Sequence, residues 1–155
     1  MEKMEKEEMY NRICEQLSSL ICDEENLIAN LANASSLLYK NLEKVNWAGF
    51  YLLSQQELVL GPFQGSIACT RIPIGKGVCG KSVERMQTIR VDDVHQFPTH
   101  IACDSASNSE IVIPIIKDHQ CIGVLDIDSY VYSRFDEIDQ HYLEKFVQIL
   151  VQYAF

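Results

Sequence analysis

The sequence predicts an α+β domain built on an antiparallel sheet, and three observations lead there. Apolar residues recur at helical spacing through the first forty residues and again after residue 136. Between them, short apolar and aromatic runs alternate with turns, so neighbouring strands are joined as hairpins rather than through crossover helices. The length of 155 residues suits one domain, which at this size buries roughly 70% of its unfolded surface without disulfide staples. No linker, repeat or low-complexity tract divides the chain. We therefore expect one domain over 1–155: a helical segment at about 1–42, a core at about 46–139 and a terminal helix at about 136–154.

Each element has its own reason. Met9, Ile13, Leu17 and Leu20/Ile21 form one helical stripe, with Glu and Asn on the other face. Asp23 offers an N-cap to a second helix, with Glu24 and Glu25 in its first turn and Leu27, Leu31 and Leu38 on its apolar face. These stripes serve either the core or a homodimer face. Trp47 to Leu53 is aromatic-rich and strand-like, Ser54-Gln55-Gln56 turns the chain, and Glu57 to Leu60 returns. Ile67 to Ile72 is a third strand candidate. Gly75-Lys76-Gly77 makes a turn into a short helix over Val78 to Met86, and Thr88 to Val91 is a further strand. Asp92 to Glu110 is a long polar stretch without a period, the kind of loop that usually serves function. Ile111–Ile116 and Cys121–Ile127 pair about Lys117-Asp118-His119-Gln120. Asp136 caps the last helix, whose apolar face is Ile138, Tyr142, Phe146, Ile149/Leu150 and Tyr153. The sheet thus has five or six strands.

Charge narrows the function. Thirteen Lys and Arg against 22 Asp and Glu leave a net charge of -9, which argues against nucleic-acid and polybasic membrane surfaces. The opening Met1-Glu2-Lys3-Met4-Glu5-Lys6-Glu7-Glu8 has the wrong polarity for a signal peptide, and no apolar run approaches a membrane span. A cytoplasmic location is expected. There, six cysteines do not read as a disulfide scaffold.

Cys14, Cys22 and Cys121 sit in or at the start of apolar elements and read as packing. Cys69, Cys79 and Cys103 lie beside glycines or polar residues at element ends or in the long loop. The helix N-terminus at Cys79 should lower its thiol pKa, which makes Cys79 the nucleophile by local electrostatics. Asp104 beside Cys103 opposes thiolate formation there. Spacings of ten and twenty-four residues lack the short Cys pairs of zinc sites, and no metal is expected.

Strand alternation puts Asp126 and Asp128 on one face. A four-residue turn would set Glu110 opposite Ile127, on the other face, but Glu110 precedes the strand proper and its direction stays open. Two carboxylates about 5 Å apart repel by about 3 kcal/mol at an effective dielectric near 20. Converging acids would therefore keep one proton near neutral pH, ready for donation, and would attract an ammonium group.

Six blocks resemble the free methionine-(R)-sulfoxide reductases, stand-alone GAF-domain enzymes: Asn46-Trp47-Ala48-Gly49-Phe50-Tyr51, Gly61-Pro62-Phe63-Gln64-Gly65, Ala68-Cys69-Thr70-Arg71-Ile72-Pro73, Gly75-Lys76-Gly77-Val78-Cys79-Gly80, His100-Ile101-Ala102-Cys103-Asp104 and Gly123-Val124-Leu125-Asp126-Ile127-Asp128. The likeness runs from about Asn46 to Asp139. It implies a GAF fold and thiol-dependent reduction of free L-methionine (R)-sulfoxide. By that resemblance Cys103 attacks the sulfoxide sulfur, Cys69 resolves the sulfenic acid to a Cys69–Cys103 disulfide, and thioredoxin or another dithiol reduces it. Cys79 assists recycling or forms an alternative bridge. Glu110, Asp126 and Asp128 share oxygen protonation and ammonium binding, and Trp47 and Tyr51 wall the methyl-sulfinyl group. No bound cofactor is implied. The resemblance and the local electrostatics thus name different nucleophiles. A non-catalytic GAF sensor and a thiol redox switch are the alternative functions.

Overall fold

The computed structural model describes residues 2–100 and 105–155. Six strands, β1 (Val45–Ser54), β2 (Glu57–Gly65), β3 (Arg71–Pro73), β4 (Ile89–Val91), β5 (Ser109–Lys117) and β6 (Gln120–Ser129), form one sheet in the order β3-β2-β1-β6-β5-β4. Every neighbouring pair is antiparallel. Helices α1 (Lys3–Ile21), α2 (Leu27–Asn41) and α4 (Glu137–Tyr153) accompany it, with the shorter α3 (Gly77–Arg85) between β3 and β4.

The period-2 alternation of β1, β5 and β6 sorts their side chains between two cores. Ala48, Phe50, Ile111, Ile113, Leu125 and Ile127 are buried together with Leu17, Leu31, Leu38, Phe146 and Leu150 of the long helices. Ile13, Leu17 and Ile21 of the α1 stripe and Leu31 and Leu38 of α2 are thus buried within the chain, whereas Leu20 is exposed. Trp47, Tyr51, Val112 and Val124 instead join Leu58, Ile72 and the α3 residues Val78 and Cys79 in the second core.

Two local expectations need correction. The second helix begins at Leu27, not after Asp23: its cap is Asn26, whose side chain accepts from the Ala29 N–H at 2.9 Å. Glu24 instead accepts from the Asn26 N–H, and its carbonyl from Asn30 Nδ2. The strand expected over Ile67–Ile72 shrinks to Arg71–Pro73, and Ile67 is 89% exposed. Two aromatic side chains take carbonyls that a ladder there would have used: Trp47 Nε1 donates to the Ser66 carbonyl (3.1 Å) and Tyr51 Oη to that of Cys69 (2.8 Å). Asp136 does cap α4, and Asp139 answers it in a capping box.

Candidate active site

The register of the β5–β6 hairpin decides where the acids lie. Asp118 and His119 both have positive φ (51° and 66°), the twist of a two-residue hairpin turn. This sets Lys117 opposite Gln120 and Ile116 opposite Cys121. A bulge then follows, and Ile115 pairs with Gly123 rather than Ile122. That one extra residue on β6 reverses the phase of everything beyond it. Glu110 consequently faces Asp128, not Ile127, and the three acids share one face.

On the other side of β6, Trp47 of β1 is opposite Asp128 and Gly49 is opposite Asp126. A Cβ at Gly49 would lie 2.2 Å from Phe63 Cβ, so only glycine lets Phe63 seat beside Trp47. The Phe63 and Tyr51 rings stack on Trp47 at centroid distances of 5.1 and 5.9 Å. Trp47 and Tyr51 are each 2% exposed, and together they wall a pocket whose lining includes Cys79, His100, Ser107, Glu110, Asp126 and Asp128.

α3 brings Cys79 in from the opposite side. Gly77 (φ 62°) donates its N–H to the Thr99 carbonyl and opens the helix two residues before Cys79. A sulfur of Cys79 and carboxylate oxygens of Glu110 and Asp126 all lie within 4.8 Å of one another, and all three residues are buried. No Lys or Arg lines the pocket among the described residues.

That charge arrangement governs the protonation states. Burial, then Asp126 and Asp128, pushes the Glu110 carboxyl well above its ordinary 4.5. Asp126 is also raised by burial, while hydrogen bonding to Glu110 and Cys79 restrains it. Its Oδ1 is buried and has no hydrogen-bond partner among the described residues. The converging acids thus retain a proton, with Glu110 the group most strongly driven to hold it.

The lowered pKa expected at Cys79 does not materialise. Burial raises this thiol well above 9.0, and Asp126, Glu110 and Asp128 raise it further. Complete desolvation and three facing acids outweigh the helix N-terminus. Cys79 is a free, neutral thiol.

Cys69 is half-buried and disulfide-bonded. Cys103, the other cysteine implicated by the sequence, lies outside the described residues. Cys14 is buried in the helical core and Cys121 partly buried at the start of β6, as packing residues should be, whereas Cys22 is exposed past the end of α1. Sequence reasoning missed Ser107 and gave His100 no role. Ser107 accepts from Asn46 Nδ2 at 3.1 Å, and His100 Nδ1 is buried without a hydrogen-bond partner among the described residues. Both come from the long unpatterned loop, where no period distinguishes an inward residue from an outward one.

A six-stranded antiparallel sheet with the long helices on one face and a buried pocket on the other defines a GAF domain, and the model of that domain family matches residues 7–153. A curated relative from Escherichia coli (strain K12), named free methionine-R-sulfoxide reductase, is 54% identical over 144 residues, covering 93% of this chain and 87% of the relative. The reduced form of fRMsr from Staphylococcus aureus superposes with a TM-score of 0.90 at 56% identity, covering 92% of this chain and 93% of that one. The free methionine-R-sulfoxide reductase of Neisseria meningitidis, in complex with its substrate, gives 0.92 at 46% identity, over 95% and 89%. The chain belongs to the free methionine-R-sulfoxide reductases, oxidoreductases built on a GAF domain.

Proposed function

We propose that the chain reduces free L-methionine (R)-sulfoxide to methionine, with two of its own thiols as the electron source. One observation carries this reading: three acids face an aromatic wall in a pocket that no Lys or Arg lines among the described residues. A sulfoxide oxygen departs only as it is protonated, and Glu110 is the lining acid most strongly driven to hold a proton. Asp126 and Asp128 take the substrate ammonium, and Trp47 and Tyr51 enclose the methyl group next to sulfur.

In this mechanism the sulfur of Cys103 attacks the sulfoxide sulfur while Glu110 protonates the oxygen. The substrate sulfur–oxygen bond breaks with its electron pair left on the methionine sulfur, the protonated oxygen passes as hydroxyl to the Cys103 sulfur to give a sulfenic acid, and methionine leaves. The thiol of Cys69 then displaces that oxygen as water and forms the Cys69–Cys103 disulfide. The sum is one sulfoxide and two thiols giving methionine, one disulfide and one water. The disulfide-bonded state of Cys69 and the neutrality of the Cys79 thiol support this division over a Cys79 nucleophile. Thioredoxin, or a small dithiol in its place, returns the disulfide to two thiols, and no bound cofactor takes part.

Supplied with dithiothreitol, the protein should release methionine from the (R) epimer and leave the (S) epimer unconsumed. Cys103→Ser should abolish methionine formation even in a single turnover. Full single-turnover activity in Cys103→Ser, combined with its loss in Cys79→Ser, would transfer the attack to Cys79.

A further inference from the structure

The proposed reaction assigns no redox step to Cys79, the thiol that closes the acid cluster from α3. Its neighbours are two carboxylates from two different strands, and the three donor atoms lie within 4.8 Å of one another. Asp126, 5% exposed, has a buried Oδ1 without a hydrogen-bond partner among the described residues. The lining supplies no Lys or Arg among the described residues. The Asp126 Oδ1 is therefore left without a counterpart among the described residues whenever no ammonium group occupies the cluster.

We propose that Cys79, Glu110 and Asp126 form a binding site for a thiophilic divalent cation of the zinc class, and that this cation competes with the amino group of the substrate. The competition rests on the reductase reading; the metal site itself does not. One sulfur and two carboxylate oxygens are a donor set that a borderline-soft cation accepts, whereas magnesium and calcium prefer oxygen alone. Tetrahedral coordination at Zn–S of about 2.3 Å and Zn–O of about 2.0–2.2 Å sets the donors about 3.5 Å apart. Binding would draw these donors, within 4.8 Å of one another in the free protein, closer together. The cavity beside them measures ≈ 50 Å³. One water needs roughly 10–15 Å³, so a fourth, solvent ligand fits. The absence of short Cys pairs in the sequence does not bear on such a site, because its donors come from α3, β5 and β6.

Cobalt(II) tests the site without reference to catalysis. Added to the Cys69→Ser/Cys103→Ser double variant, it should produce a thiolate-to-cobalt charge-transfer band that a further Cys79→Ala change removes. Glu110→Gln, a near-isostere, should keep the band but weaken cobalt affinity at least about tenfold, the loss that even an outer-shell partner can bring. Excess magnesium should leave the band intact. In the wild type, zinc should inhibit methionine release competitively with the sulfoxide. No band in the double variant, or an equal band after Cys79→Ala, overturns the site. A band with non-competitive zinc inhibition overturns the competition. A band in a protein that releases no methionine leaves the site standing and sinks the reductase reading instead.

Discussion

Two sets of buried carboxylates lie in different parts of this molecule, and they are treated in opposite ways. Asp139, at the start of α4, is fully buried yet completely answered. It takes Lys6 Nζ at 2.7 Å, Arg134 Nη1 at 3.3 Å, Tyr10 Oη at 2.5 Å and the Asp136 N–H at 2.9 Å. Glu110 and Asp126 are also buried but have one another and a neutral thiol, with no Lys or Arg among the described lining residues. A carboxylate surrounded by donors fixes a helix end. A carboxylate left with other acids keeps a proton and waits for a cation, which is costly for folding and useful for chemistry.

Neutralising the two sets should therefore move stability in opposite directions. Asp139→Asn leaves Lys6 and Arg134, 13% and 12% exposed, without their common anion. A loss of about 3 kcal/mol is expected from urea titration, the low end for breaking a buried pair. A loss below about 0.5 kcal/mol would mean that Asp139 does not anchor α1 to α4.

Glu110→Gln should instead leave the protein as stable or about 1 kcal/mol more stable at neutral pH, the usual gain when a strained functional residue is relieved. The sign of the pH dependence follows from the direction of the shift. Because folding raises the Glu110 value above 4.5, the folded state holds this proton more tightly than the unfolded chain. The Glu110 contribution is fully present below 4.5 and is lost as pH rises through the raised folded value. Melting temperatures of wild type and Glu110→Gln should thus converge on acidification. Parallel curves across that range would remove the cluster's electrostatic strain from the account.

The helical side was the more legible of the two. Its stripes, with Leu17, Leu31, Leu38 and Phe146 inward, follow from 3.6-residue spacing, and the Asp136 cap follows from residue type. Even so, the acid in the first turn of α4 turned out to be the buried hub Asp139, a role that the Asp-x-x-Asp capping pattern could have signalled. On the pocket side, family resemblance named Trp47, Tyr51, Glu110, Asp126 and Asp128, and the structure brings all five to one pocket. Residue-level reasoning alone could not align Glu110, because a one-residue bulge near Ile116 controls its phase and bulges leave no periodic mark. It also misjudged Cys79. A helix N-terminus is visible in sequence, whereas complete burial against acids from two other strands is a tertiary fact.

The central claim is that Glu110 is kept in an unfavourable electrostatic setting because the sulfoxide oxygen needs its proton. The direct measurement is single-turnover methionine release from free methionine (R)-sulfoxide by Glu110→Gln, with folding checked in the same sample. A rate lower by about 10²–10⁴, the usual contribution of a general acid, in a variant at least as stable as wild type, is the expected result. An unchanged rate in that folded variant would contradict it.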